Sequence, residues 1–238
     1  NSYRRGAEGE NMFSAPVQTN RESKIVTERR ERIIEWITFY RRNIHRFVEH
    51  YFGITLFTYQ KLWLYEMGIR DSYMAICSRA TAKTWLVAVL ACAIAVLYPK
   101  SEIVVVSSTK GQSTTLIEKI DALDKEYPNL GREIANINTS PNTPEAKFNN
   151  GSIIRVVVAR DSSRSKRATF IIYEEFRLID KEVIDSVIRP FSYVRQASYL
   201  KLPEYSSIAE LKEEPKEVFI SSAYHKGLWW FEEYKETV

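Results

Sequence analysis

The stretch Ala75–Leu90, AICSRATAKTWLVAVL, limits what this chain can fold into more than any other. A short apolar run, Met74–Ile76, leads into a small, polar, basic turn, and after Lys83-Thr84 an apolar segment of helical character begins. Strand, tight turn and helix in that order are the setting of a phosphate-binding loop, whose template is G-x-x-x-x-G-K-[ST]. Laid over Cys77–Thr84, the template is met at Lys83 and Thr84. It is missed at both glycines, which are Cys77 and Ala82 here. Taken alone the match is degenerate, and the rest of the chain has to decide whether the loop binds phosphate.

Such a loop works because successive backbone N–H groups form a concave anion nest at a helix N-terminus, where the helix dipole also favours negative charge. The candidate cradle for ATP is Cys77, Ser78, Arg79, Ala80, Thr81, Ala82, Lys83, Thr84 and Trp85. Lys83 would bridge the outer phosphates and Thr84 would place its hydroxyl on Mg²⁺. Glycine is needed where the backbone takes a positive φ or closely approaches phosphate. Ala82 and Cys77 are small, so the two departures are expected to weaken affinity without abolishing the site.

Composition adds bounds. The 238 residues suffice for one large α/β domain or two small ones with a sizeable core. Apolar and charged fractions of 45% and 27% are those of an ordinary soluble globular protein. A net charge of +4 permits contact with a polyanion without requiring it. Cys77 and Cys92 form neither a disulfide framework nor a zinc site, which points to a reducing, intracellular setting. No N-terminal targeting signal is visible. The longest apolar stretch, Trp85–Tyr98, has 14 residues, shorter than a bilayer span needs, and reads as a buried core helix.

Residues 1–24 are polar and read as a flexible arm. Residues 25–52 read as one helix, with Ile25, Ile33, Ile34, Ile37, Phe47 and Val48 near helical spacing. Arg29, Arg30, Arg32, Arg41, Arg42 and Arg46 give it a basic face, either solvated or in contact with nucleic acid or another subunit. In Ile54–Ile69, Phe57, Tyr59, Trp63 and Tyr65 surround Gln60. An aromatic with a glutamine amide could stack on and hydrogen-bond an adenine, since the amide both donates and accepts. A core-packing helix with one exposed glutamine fits equally well.

Beyond the loop helix, about Lys83–Leu97 and stopped by Pro99, the run Glu102–Ser108 reads as a buried parallel strand. Thr109–Tyr127 is helical, and Phe148–Val158 reads as a hairpin turning at Asn149-Asn150-Gly151. Arg160–Arg167 is a polar basic loop. Ala168–Tyr173 is a second buried strand ending in Glu174-Glu175, followed by a helix at about Asp180–Ile188 closed by Pro190. Glu217–Ser222 is a last strand ending in Ser221-Ser222-Ala223, and Trp229, Trp230 and Phe231 read as core.

Strands alternating with helices predict a mostly parallel central sheet with helices on both faces, whose ligands bind at the carboxyl ends of the strands. Three predicted strand ends carry useful chemistry: Lys83-Thr84, Glu174-Glu175 and Ser221-Ser222. Glu174 could hold the metal and Glu175 could orient the attacking water. Two solvated glutamates at a helix start are the plainer alternative. Phosphoryl transfer also needs a cation on the developing charge. Arg79 could act within the subunit, and Arg160, Arg164 or Arg167 could reach a neighbour's site or contact DNA phosphate. Ser221 and Ser222 could sense the γ-phosphate.

In sequence order YQKLWL, SRATAKT, IVVVSSTKGQ, FNNGSIIRV, a basic loop, IIYEEF and FISSA resemble the ATPase domain of tailed-phage large terminases, the DNA-packaging motors of viral capsids. The likeness runs over about residues 54–225. It implies a P-loop NTPase fold of the additional-strand, catalytic-Glu class. It also implies a Mg²⁺-dependent ATPase that couples hydrolysis to translocation of double-stranded DNA. By that likeness Arg79, Lys83 and Thr84 fall on the loop's arginine, lysine and hydroxyl, and Tyr59-Gln60 on the adenine motif. Glu174 and Glu175 fall on the metal and catalytic carboxylates, and Ser221-Ser222-Ala223 on the coupling motif. The implied partners are duplex DNA, a homo-oligomeric ring on a portal protein, and a small terminase subunit, with no membrane. The implied setting is the host cytoplasm. Residues 25–238 would form the motor domain: a basic helix at 25–52, a nucleotide-binding core at 53–225, and a segment at 226–238 toward a lid or linker. No room is found for a nuclease. A helicase or other nucleic-acid-stimulated NTPase, and a catalytically inactive DNA-binding scaffold, are the alternatives.

Overall fold

The computed structural model describes residues 20–160, 167–195, 197–223 and Trp229, Phe231, Glu232 and Lys235. The chain divides into two compact units after Ile37. Of the first, only Asn20–Ile37 is described, as the greater part of helix α1 (Asn20–Arg42). Ile25, Val26, Ile33 and Trp36 on it are exposed. The expected helix over 25–52 therefore starts earlier, and it also breaks at Asn43. There φ −128° and ψ 59° leave helical space, and the Asn43 amide donates to the Phe39 carbonyl at 2.9 Å. Such local side-chain-to-backbone bonding lets asparagine compete with the helix. Past the break, α2 (Ile44–Phe47) and a π-helical turn (Val48–Phe52) bury Ile44, Phe47, Val48 and Phe52. Gly53, at φ +80°, ends the turn.

The elements that follow are α3 (Thr58–Ile69), β1 (Ser72–Cys77), α4 (Lys83–Leu97), β2 (Glu102–Ser107), α5 (Lys110–Glu126) and α6 (Pro128–Gly131). Next come β3 (Ile134–Asn138), β4 (Glu145–Phe148), β5 (Ile153–Val158), β6 (Phe170–Glu174), α7 (Lys181–Val183), α8 (Pro203–Ser206) and β7 (Lys216–Ser222). The helix expected near Asp180–Ile188 is α7 running into a π-helical turn over Ile184–Ile188, with Pro190 in the closing 3₁₀ turn. Strand β3 was not expected. Its sequence, IANIN, carries two asparagines, and it forms as the sheet edge by antiparallel pairing with β4.

Among the described residues seven strands form one sheet in the order β1-β7-β6-β2-β5-β4-β3. The pairs β1·β7, β7·β6, β6·β2 and β2·β5 are parallel; β5·β4 and β4·β3 are antiparallel. Strand β7 thus lies between the strand that enters the loop and the strand that ends in glutamate. This is the position anticipated above for an additional strand between the loop strand and the acidic strand.

Both faces of the parallel part are covered. In β2, Ile103 and Val105 pack into one core and Val104 and Val106 into the other. That two-sided burial is why the strand reads as an unbroken β-branched run. Helix α4 is buried along nearly its whole length, Leu86–Ala95 and Leu97, so the long apolar stretch is core. No described helix is long and apolar enough to cross a membrane. Arg41, expected on a basic helix face that is either solvated or in contact with a partner, is instead buried within the chain, 4% exposed. Its guanidinium donates to the Leu97 carbonyl that ends α4, at 3.0 and 3.2 Å, and lies 4.1 Å from the Tyr98 ring centre.

Candidate phosphate-loop and carboxylate site

The loop begins at the carboxyl end of β1. Cys77 is still in register there, opposite Ser222. It is 7% exposed, its carbonyl accepts from Ala223 N at 2.9 Å, and its thiol donates to the Ser221 carbonyl at 3.5 Å. Burial pushes that thiol's pKa up against the pull of the Lys83 charge. An extended, packed strand residue has no need of glycine. Ala82 differs. At φ +53° and ψ 32° it occupies the left-handed region, and Ala80 does the same at φ +60°. Left-handed backbone costs an L-residue roughly 1–2 kcal/mol. The chain thus reaches the glycine-type turn without glycine. The Ala82 carbonyl then accepts the first α4 bond, from Leu86 N at 3.0 Å. The leading N–H groups of α4 have no intrahelical acceptor. The loop is closed on itself by Thr81 Oγ and Lys83 Nζ, which donate to the Ser78 carbonyl at 3.0 and 3.3 Å.

The acid pair ends β6, two strands away. Glu174 is 4% exposed. The Thr84 hydroxyl donates to its Oε1, while its buried Oε2 has no hydrogen-bond partner. Burial pushes this carboxyl's pKa up, aided by the charge of Glu175; the Thr84 bond and Lys119 and Lys83 oppose. Glu175 turns out of the strand at φ +50°, a strained value for a non-glycine. Its carboxylate accepts from Ser221 Oγ at 3.1 Å, Ser222 N at 3.2 Å, Ser222 Oγ at 2.8 Å and Arg177 Nε at 3.3 Å. It also faces Lys83 Nζ at 3.8 Å. Burial works against its ionisation, but the Ser222 and Ser221 donors and the Lys83 charge outweigh it and hold the pKa below the usual range. Neighbouring carboxylates are thereby driven in opposite directions, a pattern that separates chemical roles.

This arrangement fits a divalent cation. A buried carboxylate with one unpartnered oxygen, touching a hydroxyl at a helix N-terminus, has an oxygen open to a cation. Among the described residues no three His, Cys, Asp or Glu side chains gather into a metal site. Hence a cation beside Thr84 and Glu174 needs phosphate oxygens and water for its other ligands, as Mg²⁺ does.

The remaining candidates are distributed unevenly. Ser221 and Ser222, the candidates to sense the γ-phosphate, donate to Glu175. Arg79 is exposed in the loop turn. Arg160 is exposed just past β5, on the same sheet edge, because Ala159 N bonds the Ser107 carbonyl at the end of β2. Arg167 is on the opposite edge: Thr169 N bonds the Glu102 carbonyl at the start of β2, and the guanidinium is 6.0 Å from the Tyr193 ring centre. Arg164 lies outside the described residues. Gln60 is buried, and its Oε1 accepts from Phe57 N at 2.9 Å, capping α3. Tyr59 is exposed, stacked on Phe57 at 6.1 Å and edge-on to Trp63. Trp85 is half-buried against the core. Arg177, missed in the sequence, is placed by the turn after Glu175. An arginine two residues past an acid pair was the only signal for it.

No family model matches the sequence, and no curated protein matches it. Solved structures share the fold. The large terminase ATPase domain of Thermus phage P74-26 superposes with a TM-score of 0.55 at 19% identity, covering 79% of this chain and 72% of that one. The HK97 bacteriophage large terminase gives 0.57 at 16%, covering 83% of this chain and 41% of that one. The large terminase of a thermophilic bacteriophage gives 0.52 at 11%, covering 77% and 43%. The chain thus has the fold of phage large-terminase ATPase domains and spans about two fifths of the latter two proteins.

The two missing glycines are expected to behave differently. Ala82→Gly relieves left-handed strain while adding unfolded-state freedom, so stability should stay within about 1 kcal/mol of wild type. Cys77→Gly strips a buried strand residue and should cost about 1–3 kcal/mol in urea unfolding. Equal effects at both positions would contradict the backbone assignment. The carboxylates predict a pH dependence with opposite signs. Glu175, with its lowered pKa, adds stability above the unfolded carboxyl pKa and loses it as pH falls through the folded value. Glu174, with its raised pKa, subtracts stability at neutral pH and ceases to do so as pH falls from its folded to its unfolded value. Glu174→Gln should therefore gain stability relative to wild type at neutral pH, with the difference narrowing on acidification. A difference independent of pH would contradict it.

Proposed function

We propose that this chain is a Mg²⁺-dependent ATPase and the motor domain of a phage terminase, driving double-stranded DNA into a procapsid. The observation that carries the reading is the contact across the sheet edge. Lys83 and Thr84, opening α4, meet Glu175 and Glu174, ending β6, within a fold shared with large-terminase ATPase domains.

The phosphates of ATP take the exposed N–H groups at the start of α4, and Lys83 leaves the Ser78 carbonyl and Glu175 for them. Thr84 and Glu174 would hold Mg²⁺, which neutralises phosphate charge when bound. Glu175, ionised at neutral pH, orients the attacking water and takes its proton. Arg79 is the cation on the developing charge within the subunit; Arg160, Arg164 and Arg167 are the candidates to act on a neighbour. Tyr59 and Gln60 are the adenine candidates, with the Gln60 amide nitrogen as donor once Oε1 is spent on the helix cap. Ser221 and Ser222 read the position of Glu175 and pass it into β7, coupling hydrolysis to motion. The assembly is a ring of copies around duplex DNA on a portal protein, with a small terminase subunit, in the host cytoplasm. Residues 53–225 are the nucleotide-binding core, and 226–238 lead toward a lid or linker.

Phosphate release from ATP, measured with and without duplex DNA, tests this. Lys83→Ala and Glu175→Gln should each lower turnover by at least about 100-fold. Glu175→Gln should still bind nucleotide. Unchanged hydrolysis in both variants would overturn the reading.

A further inference from the structure

Arg177 has no role in the reading above, yet it lies against its central carboxylate. It belongs to the 3₁₀ turn Phe176–Leu178, and its side chain is 15% exposed. Both ends of the contact are fixed. Phe176 is fully buried, edge-on to Phe219 and tilted against Trp229, with ring centres 5.7 and 6.1 Å apart. The Trp229 indole donates to the Ile179 carbonyl at 3.2 Å, and Leu178 N donates to the Glu175 carbonyl at 2.9 Å.

A carboxylate has about four lone-pair sites. On Glu175, Oε2 accepts from Ser221 Oγ, Ser222 N and Arg177 Nε, whereas Oε1 accepts from Ser222 Oγ alone, with the Lys83 ammonium 3.8 Å away. Oε2 is crowded with donors, and the remaining lone pair of Oε1 faces the Lys83 charge, which opposes a proton arriving there from water. Lys83 has to leave Oε1 before that oxygen can act as a base. Three of the four hydrogen-bond donors belong to β7, and Lys83 is drawn away once phosphate binds. Arg177 is different, because it is two residues along the same chain and moves with Glu175. Its planar fork can exchange one N–H for another as the carboxylate turns, which a point-charge ammonium does less well.

We propose that Arg177 is a positioning residue for hydrolysis: it stays with the Glu175 carboxylate when Lys83 turns to phosphate, and keeps that carboxylate aimed as it leaves Ser221 and Ser222. The proposal rests on the ATPase reading. An arginine that merely pins the turn would affect folding and nucleotide binding along with turnover.

The test measures kcat for ATP, the Kd of a non-hydrolysable ATP analogue with Mg²⁺, and Tm, for wild type, Arg177→Ala, Arg177→Gln and Arg177→Lys. Arg177→Ala and Arg177→Gln should lower kcat by about 10- to 100-fold while Kd moves less than about threefold, and Arg177→Lys should recover part of kcat. Should Arg177→Ala not fold, Arg177→Gln has to show the same split. Wild-type kcat in Arg177→Gln, or equal losses in kcat and analogue binding, would overturn the proposal while leaving the ATPase reading intact. A wild-type chain that neither binds the analogue nor releases phosphate would instead overturn the ATPase reading, and this proposal with it.

Discussion

Strand β7 pairs in parallel with β1 on one side and β6 on the other, in a register that sets Ser222 beside Cys77 and Ile220 beside Glu174. The register is held by opposite burial of alternate residues. Val218 and Ile220 enter one core, and Phe219 enters the other, stacked on Tyr173 with ring centres 4.3 Å apart. A slip by one residue would send Phe219 to the wrong face. It would also carry the two serines about 3.3 Å along the strand, away from the Glu175 carboxylate. The loop, the acid pair and the hydroxyl pair come from distant parts of the sequence. This one pairing puts all three on the same edge of the sheet.

The electrostatics follow from that placement. Burial acts on both glutamates, but Glu175 receives several compensating donors from Ser221 and Ser222 of β7, besides the Lys83 charge, and these outweigh it. Glu174 receives the Thr84 hydroxyl and keeps one bare oxygen. The result is one ionised, donor-rich carboxylate beside one under-satisfied carboxylate, the difference on which the proposed roles in proton handling and cation binding rest. Lys83 is common to both halves, folded onto the Ser78 carbonyl and facing Glu175. A ligand that captures Lys83 therefore alters the surroundings of Glu175 directly, with no longer route required.

Much of this was legible in the sequence where local preference and burial agree. Helix α4 begins at Lys83 and ends at Leu97 as the apolar run and Pro99 imply, and β2 and β6 read as continuous apolar strands because both of their faces are covered. Other features depend on tertiary partners and left little trace. The edge strand β3 exists through β4, and Asn43 breaks a helix whose hydrophobic spacing continues past it. Arg41 reads as one more basic-face residue until the end of α4 supplies carbonyls to bury it against. The template treats both missing glycines alike. Only the backbone shows that the Cys77 position is an ordinary strand end and that Ala82 bears the left-handed turn.

The central claim is that a loop without glycines still forms a phosphate cradle opposite a cation-seeking carboxylate. Isothermal titration of the chain with a non-hydrolysable ATP analogue, with and without Mg²⁺, tests this most directly. One nucleotide should bind per chain, with affinity that falls sharply when Mg²⁺ is withheld. Absence of binding heat under both conditions, from protein shown to be folded, would contradict it.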